Sequence, residues 1–226
     1  MLSDFRAFFC IVCYTIFIMK PKMMIRNAGK PKGLWGKLMI STMNVEHTEL
    51  SWWGLSFLPA REYNTGLDIG CGGGMNIIRL ADICLGKVHG IDVSPLSVKE
   101  ATKRCKKLIK KDRVEVGLGN VSALPYPSES MDIVTAFETV YFWDKIEKCF
   151  AEVYRVLKDE GVFLITNELK AEKDDPDKYE KLESILQMNI YTEEELKSAL
   201  QNAGFVDVKA EVKGKDWICV TAIKKE

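Results

Sequence analysis

The stretch from Gly66 to Met75 constrains the fold of this 226-residue chain more than any other. Leu67 and Ile69 are apolar residues of a short buried strand, and glycines at 70, 72, 73 and 74 then permit a sharp turn. From Met75 onward, apolar residues recur at helical spacing. A strand, a glycine-rich turn and a helix N-terminus in this order indicate a pocket for a nucleotide-like ligand.

The spacing of the glycines distinguishes between kinds of nucleotide site. The dinucleotide-binding fingerprint is G-x-G-x-x-G/A, and Met75 occupies its last position here. The pattern present is D-x-G-x-G-x-G, which resembles the first motif of class I S-adenosylmethionine (SAM)-dependent methyltransferases. That resemblance implies SAM as the cofactor. It also implies cofactor contacts at the motif positions, which are Asp68, Gly70, Cys71, Gly72 and Gly74.

An acidic residue follows the glycine turn at an informative distance. Asp92 lies 24 residues after Asp68, at the end of a second predicted strand. A carboxylate there can accept hydrogen bonds from the two hydroxyls of a ribose. The alternative, a helix N-cap, is better served by Ser94 followed by Pro95. We therefore predict that Asp92 and its neighbour Val93 bind the cofactor.

The segment from Gly119 to Tyr126 resembles the third motif of the same family. The family usually has an acidic residue after the glycine, facing the adenine amino group, and Asn120 stands in its place. An amide carbonyl can still accept a hydrogen bond from that amine. The resemblance further implies that Val121 packs on the adenine face and that the acceptor is a small molecule.

The fourth predicted strand ends at Phe137, and ligands bind at the carboxyl ends of parallel strands. The resemblance places Phe137 and Glu138 near the methionine part of the cofactor. The polar groups that could act as a base are His47, Glu138 and Tyr141. The aromatic residues from 141 to 143 either line the acceptor pocket or pack against the N-terminal helices.

Charge and cysteine usage argue against several classes of partner and of stabilising site. The chain has 32 Lys and Arg and 32 Asp and Glu, so its net charge of zero argues against a nucleic-acid partner. Seven cysteines at irregular spacing argue against a disulfide framework and favour a reduced, cytoplasmic protein. Cys10-x-x-Cys13 lies in an apolar run without a nearby histidine, so we expect no metal site.

The order of predicted strands and helices indicates an α/β fold, a Rossmann-like doubly wound sheet that is mainly parallel and ends in a C-terminal antiparallel hairpin. We assign residues 61–226 to this SAM-binding domain and residues 27–60 to a helical cap, with an irregular polar segment at 43–50. In the cap, His47, Trp52 and Trp53 are candidate pocket residues. For the two tryptophans the favoured interpretation is that they fill the core, and His47 could equally be a surface residue.

Residues 1–26 form an apolar N-terminal extension. Its apolar run at 7–19 is short for a membrane span, which needs about 20 residues. Three interpretations remain open: a tethering helix in contact with a membrane, a core or interface helix, and a translated extension upstream of the true start. The third is favoured.

These patterns lead to one main hypothesis, SAM-dependent methyl transfer to a small organic acceptor at an oxygen, nitrogen or carbon atom. A non-catalytic subunit that binds SAM or S-adenosylhomocysteine (SAH) is the alternative. A nicotinamide-dependent oxidoreductase is a third hypothesis, against which Met75 and the terminal hairpin argue. The sequence leaves the acceptor and the oligomeric state open.

Overall fold

A seven-stranded sheet forms the centre of the computed structural model, which describes residue 29 and residues 31–225. The predictions for residues 1–26 therefore lie outside the described residues. The strands are β1 (Gly66–Ile69), β2 (Val88–Asp92), β3 (Val114–Leu118), β4 (Met131–Phe137), β5 (Leu157–Asn167), β6 (Val206–Lys213) and β7 (Trp217–Ile223).

The strand order in the sheet is β3-β2-β1-β4-β5-β7-β6. The first five strands pair in parallel, while β7 is antiparallel to both β5 and β6. The chain reverses direction across the sheet between β3 and β4, so that β1 and β4 lie side by side at the centre. This confirms the predicted doubly wound sheet with its C-terminal hairpin.

The helices surround this sheet. They are α1 (Gly33–Glu46), α2 (Thr48–Leu55), α3 (Met75–Ile83), α4 (Pro95–Arg104), α5 (Lys106–Ile109), α6 (Ile146–Val156), α7 (Glu180–Leu186) and α8 (Glu193–Asn202), with 3₁₀ turns at Val140–Phe142 and Pro176–Tyr179.

Local sequence explains several of the helix boundaries. Ser94 caps α4 by accepting a hydrogen bond from the backbone of Ser97, and Thr192 and Glu195 form a capping box on α8. The amphipathic pattern over 94–110 predicts one helix, but α4 ends at Arg104, because the next residue, Cys105, has a ψ of 4° that departs from helical geometry.

Apolar side chains cover both faces of the sheet. On one face, α6 and α8 pack against strand residues that include Phe163 and Ile165. On the other face, α2, α3 and α4 pack against residues that include Ile133 and Leu164. The result is three layers with two cores, one on each side of the sheet.

The cap lies close against the rest of the chain. A Cβ atom on Gly54 of α2 would lie 2.2 Å from Thr166 Oγ1 of β5, so only glycine permits this approach. Ser94 Oγ also donates a hydrogen bond to the carbonyl of Pro31 at 2.8 Å. The prediction that 43–50 is irregular was wrong, because α1 and α2 are separated by His47 alone.

Within the described part of the chain, no helix is both long enough and apolar enough to cross a membrane.

Candidate functional site

A cavity of about 1350 Å³ opens at the carboxyl ends of the parallel strands. Its walls are the glycine turn after β1, the ends of β2, β3 and β4, and parts of the cap. The predicted site residues that line it are His47, Gly70, Cys71, Gly72, Asp92, Val93, Asn120, Val121, Phe137 and Glu138.

The glycine turn presents backbone to this cavity. The N–H groups of Gly70 and Cys71 donate to the carbonyl of Ile91 at 2.8 and 2.9 Å, which ties the turn to β2. Gly72 has φ of 50°, and a Cβ atom built on it would meet nothing within 4 Å. A ligand can therefore approach this backbone as closely as the turn allows.

Asp92 is held between two backbone donors at the end of β2. Its Oδ2 accepts from the N–H of Gly72 at 3.0 Å and its Oδ1 from the N–H of Ser94 at 2.7 Å. Burial raises the pKa of this carboxyl, and the hydrogen bonds from the two backbone N–H groups and from the Ser97 side chain oppose that rise. The carboxylate is thus oriented toward the cavity without a cationic partner in its hydrogen-bonding shell.

A buried hydroxyl lies beside this carboxylate. Ser97 lines the cavity from the first turn of α4, and its hydroxyl is close enough to Asp92 to help lower the pKa of that carboxyl. A carboxylate and a hydroxyl on one wall suit the vicinal hydroxyls of a ribose, so the residues present fit the adenosyl group of SAM.

Asn120 and Val121 line the cavity after β3, on the side predicted for adenine. The Asn120 side-chain oxygen accepts a hydrogen bond from the N–H of Ser122 at 3.0 Å and lies in an exposed position. Val121 is buried with the apolar residues around β1 and β2. Val121 therefore forms the fixed part of this wall.

Three of the predicted site residues do not line the cavity. Gly74 is the left-handed N-cap of α3, where a Cβ atom would lie 3.0 Å from Ala101. Asp68 is buried in β1 and accepts a hydrogen bond from Thr135 Oγ1 at 2.8 Å. Tyr141 is buried beside the cavity wall. Their positions support the wall from behind.

Asp68 makes stability depend on pH. Burial, with a smaller contribution from the charge of Asp92, raises its pKa to about 7. Between about pH 4 and pH 7 the folded chain holds a proton that the unfolded chain has lost. The free energy of unfolding should therefore fall as pH rises through this window.

We expect Asp68→Asn to remove that fall. The variant should match the parent near pH 4 and exceed it at pH 8, by at most about 4 kcal/mol. Urea unfolding at a series of pH values measures this. Part of the slope will remain, because Glu138 also has a raised pKa. Parallel curves for the two proteins at every pH would contradict the prediction.

Two cavity residues, His47 and Glu138, lie beside Glu168 in a cluster of three ionisable side chains. His47 comes from the junction of α1 and α2, Glu138 follows β4, and Glu168 follows β5. One atom that could ligate a metal, an imidazole nitrogen or a carboxylate oxygen, comes from each residue, and these three atoms lie within 4.8 Å of one another. Burial, and after it the charge of Glu168, raise the pKa of Glu138 to about 8. Chemically, the cluster can accept protons or bind cations.

Tyr141 fixes the orientation of Glu138. Its hydroxyl lies 3.2 Å from Glu138 Oε1 and accepts a hydrogen bond from the N–H of Leu169 at 2.8 Å. The N–H of Glu168 also donates to Glu138 Oε1. Glu138 has φ of 59°, a left-handed conformation that is uncommon for residues other than glycine and that clusters at functional sites.

The aromatic candidates divide between the cavity and the core. Phe142 lines the cavity. Trp143 reaches its wall but stacks on Phe163 in the core, with 6.3 Å between ring centroids. Trp52 is half exposed, and Trp53 packs against Trp217. Neither of these two lines the cavity among the described residues.

Arg79 is a cavity residue that the sequence reasoning missed. It is only 5% exposed, and its hydrogen-bond acceptors are both neutral: Asn76 Oδ1 at 2.8 Å and Thr48 Oγ1 at 3.0 Å. A buried guanidinium with neutral partners suits a ligand carboxylate. The available signal was a single arginine within the apolar stripe of α3.

Ser97 and Glu168 were also missed. Ser97 gives no signal in a polar helix, and Glu168 begins a highly charged segment in which any one carboxylate is inconspicuous. Only the fold shows that each lies beside residues that were predicted.

The sequence family described as a methyltransferase domain matches residues 67–165 of this chain. The 27-O-demethylrifamycin SV methyltransferase of Amycolatopsis mediterranei is 36% identical over 104 residues, which cover 46% of this chain and 38% of that protein. The demethylmenaquinone methyltransferase of Symbiobacterium thermophilum is 31% identical over 117 residues, covering 50% and 47%. The chain matches less than half the length of these curated relatives.

Solved structures show the same fold. A SAM-dependent methyltransferase from Aquifex aeolicus is 26% identical and superposes with a TM-score of 0.67, covering 82% of this chain and 97% of that one. The residues that match the methyltransferase domain model run from β1 into β5 and include the glycine turn, Asp92 and Asn120.

Proposed function

Because the chain carries a class I SAM-dependent methyltransferase domain, whose cofactor is SAM, we propose that it transfers a methyl group to a small organic acceptor. The observation that carries this proposal is one cavity that extends along the sheet edge from β2 to β4. We call the part beside β2 its cofactor end and the part beside β4 its acceptor end. One end combines the glycine turn, Asp92 and Ser97, and the other combines His47 and Glu138. The division into a cap at 27–60 and a domain at 61–226 is part of the proposal.

The cofactor end has a partner for each part of SAM. Asp92 and Ser97 would hold the ribose hydroxyls, and Val121 and Asn120 the adenine. Arg79 would pair with the carboxylate of the methionine part, with Phe137 packing nearby. Gly70, Cys71 and Gly72 supply backbone at close approach, while Asp68 and Gly74 support the turn from behind.

When bound, SAM supplies a methyl group made electrophilic by the sulfonium, and its transfer leaves neutral SAH. The protein's own task is then to align the acceptor and exclude water. An acceptor that holds its proton at working pH needs a base as well. His47 and Glu138 are the groups we propose for that role, with Tyr141 positioning Glu138 through its hydroxyl.

The relatives support a small acceptor. Their names indicate a rifamycin and a menaquinone precursor as acceptors in those proteins. The cavity, at about 1350 Å³, exceeds the roughly 300–1,000 Å³ of common ligand sites and can take a cofactor and an acceptor together.

Calorimetric titration of the 226-residue chain with SAH is the test, with NADH as the control ligand. We expect micromolar binding of SAH and none of NADH. Transfer of labelled methyl from SAM to a panel of small hydroxy and amino compounds then distinguishes catalysis from binding alone. Absence of SAH binding in a folded sample would contradict the proposal. Binding without transfer to any acceptor would favour the non-catalytic subunit.

A further inference from the structure

We infer that His47, Glu138 and Glu168 form a site for a divalent metal ion at the acceptor end of the cavity. No metal-binding motif predicts this site, because His47 and Glu138 are 91 positions apart and Glu168 follows 30 positions later. The role we assign to the ion, binding an oxygen-rich acceptor, rests on the proposed methyl transfer. The site itself does not.

Geometry is the first argument. One donor atom from each side chain lies within 4.8 Å of the other two, and His47 Nε2 is 3.7 Å from Glu168 Oε2. Ligands of one metal ion at bond lengths of about 2.0–2.2 Å lie about 3 to 4.4 Å apart. The cluster is therefore close to coordination distance and needs only small side-chain movements to bind an ion.

The Glu138 carboxylate is held in place through one of its two oxygens. Among the described residues, the Tyr141 hydroxyl and the N–H of Glu168 donate to its Oε1, so that Oε2 can bind a metal ion. Hydrogen bonds of this kind orient carboxylate ligands in metal sites. Glu138 lines the cavity and has a left-handed backbone conformation, which costs strain.

The donor set indicates the class of metal. One imidazole nitrogen and two carboxylates suit Mn²⁺, Fe²⁺ or Zn²⁺ better than Ca²⁺ or Mg²⁺, which prefer oxygen ligands alone. Three protein ligands leave coordination positions open, as in catalytic sites. Because His47 and Glu138 line the cavity, those positions would face the acceptor.

An ion in this place selects acceptors with oxygen ligands, such as a vicinal diol or a hydroxyl beside a carbonyl. Coordination lowers the pKa of the acceptor hydroxyl, which releases its proton to water. The resulting oxygen lone pair bonds to the methyl carbon while the carbon–sulfur bond breaks and its electron pair returns to sulfur. In this refinement His47 and Glu138 act as ligands and the methylated atom is oxygen.

Manganese provides the probe, because Mn²⁺ prefers oxygen and nitrogen ligands and avoids the cysteines of this chain. The 226-residue protein is titrated with Mn²⁺, and free ion is followed by its electron paramagnetic resonance signal. We expect one bound equivalent, and an affinity at least about tenfold weaker in His47→Gln and in Glu168→Gln. Glu168 is half exposed, so its substitution leaves the fold intact.

The structure offers a matched control. His89 Nδ1 lies 3.5 Å from Glu115 Oε2, and among the residues that the structure describes no second carboxylate joins this pair to form a three-ligand cluster. Glu115→Gln should bind Mn²⁺ like the parent. SAH affinity is measured on the same samples by calorimetry, so that the condition of the cofactor end is known independently.

The outcomes separate the two proposals. Loss of Mn²⁺ binding in His47→Gln and Glu168→Gln, with SAH affinity retained, supports the metal site. Absence of stoichiometric Mn²⁺ binding to the parent, or equal binding in all variants, overturns it even when SAH binds normally. Failure of SAH to bind a protein that still takes up Mn²⁺ overturns the proposed methyl transfer and leaves the metal site standing.

Discussion

Replacement of Gly72 by arginine is expected to abolish SAH binding in a chain that still folds. Nothing lies within 4 Å of a Cβ atom at this position, so the new side chain meets no protein atom at its base and extends into the cavity. There it would occupy the space that a cofactor needs beside Asp92. We expect SAH affinity to fall more than about a hundredfold, a loss of about 3 kcal/mol in binding free energy.

The same substitution carries a backbone cost that the control must match. Gly72 has φ of 50°, where side chains other than glycine cost about 1–2 kcal/mol. Gly214, in the turn between β6 and β7, has φ of 69° and also has nothing within 4 Å. Gly214→Arg should lose a similar amount of stability and bind SAH like the parent. Equal SAH affinity in the parent and both variants would overturn the assignment of the cavity.

Asp92→Asn is the second substitution with a large expected effect. Both carboxylate oxygens accept backbone hydrogen bonds, so the new amide must turn an NH₂ group toward the N–H of Gly72 or of Ser94. The variant also loses the charge that would accept from the ribose hydroxyls. Since hydrogen bonds to charged groups contribute about 1.5–3 kcal/mol, we expect SAH affinity to fall about 10- to 100-fold.

Asp132 is the matched control, because its carboxylate also accepts hydrogen bonds from two backbone N–H groups but does not line the cavity. At the start of β4, its Oδ2 accepts from the backbone N–H of Asn64 and of Thr65, and Lys158 lies 3.0 Å from its Oδ1. Asp132→Asn should lower the free energy of unfolding by about 1–3 kcal/mol and leave SAH affinity unchanged. If both variants lost stability and neither lost SAH affinity, Asp92 would be a structural residue only.

Local sequence accounts for much of the fold. The glycine turn, the alternation of strands with amphipathic helices, and the capping box at Thr192 each depend on neighbours within a few residues. Such short-range patterns can be read without knowing the fold. Two helices were predicted within residues 27–60 and correspond to α1 and α2. The polar segment around His47 was misread, because polar residues on a helix that covers a cavity lack a clear apolar stripe.

The part of the cavity that the glycine turn and Asp92 line was predicted more completely than the part around His47 and Glu138. Gly72 and Asp92 belong to a motif with fixed spacing, since one strand–turn–helix unit and the next strand bring them together. Arg79 and Ser97 lie on helices of the same units, yet their types and positions are variable. The roles that we propose for them follow from burial and from their neighbours in the fold, because the hydrogen-bond acceptors of Arg79 are neutral and Ser97 lies beside Asp92.

The sequence by itself determined the order of elements, the glycine turn and the acidic residue that follows it, because these depend on local periodicity and fixed spacing. Only the tertiary structure decided which side chains share a wall. Asp68 faces Thr135 inside the sheet, Trp143 packs in the core, and His47, Glu138 and Glu168 meet from three distant segments. The physical reason is that such meetings depend on how helices and strands pack across the sheet edge, which no local pattern encodes.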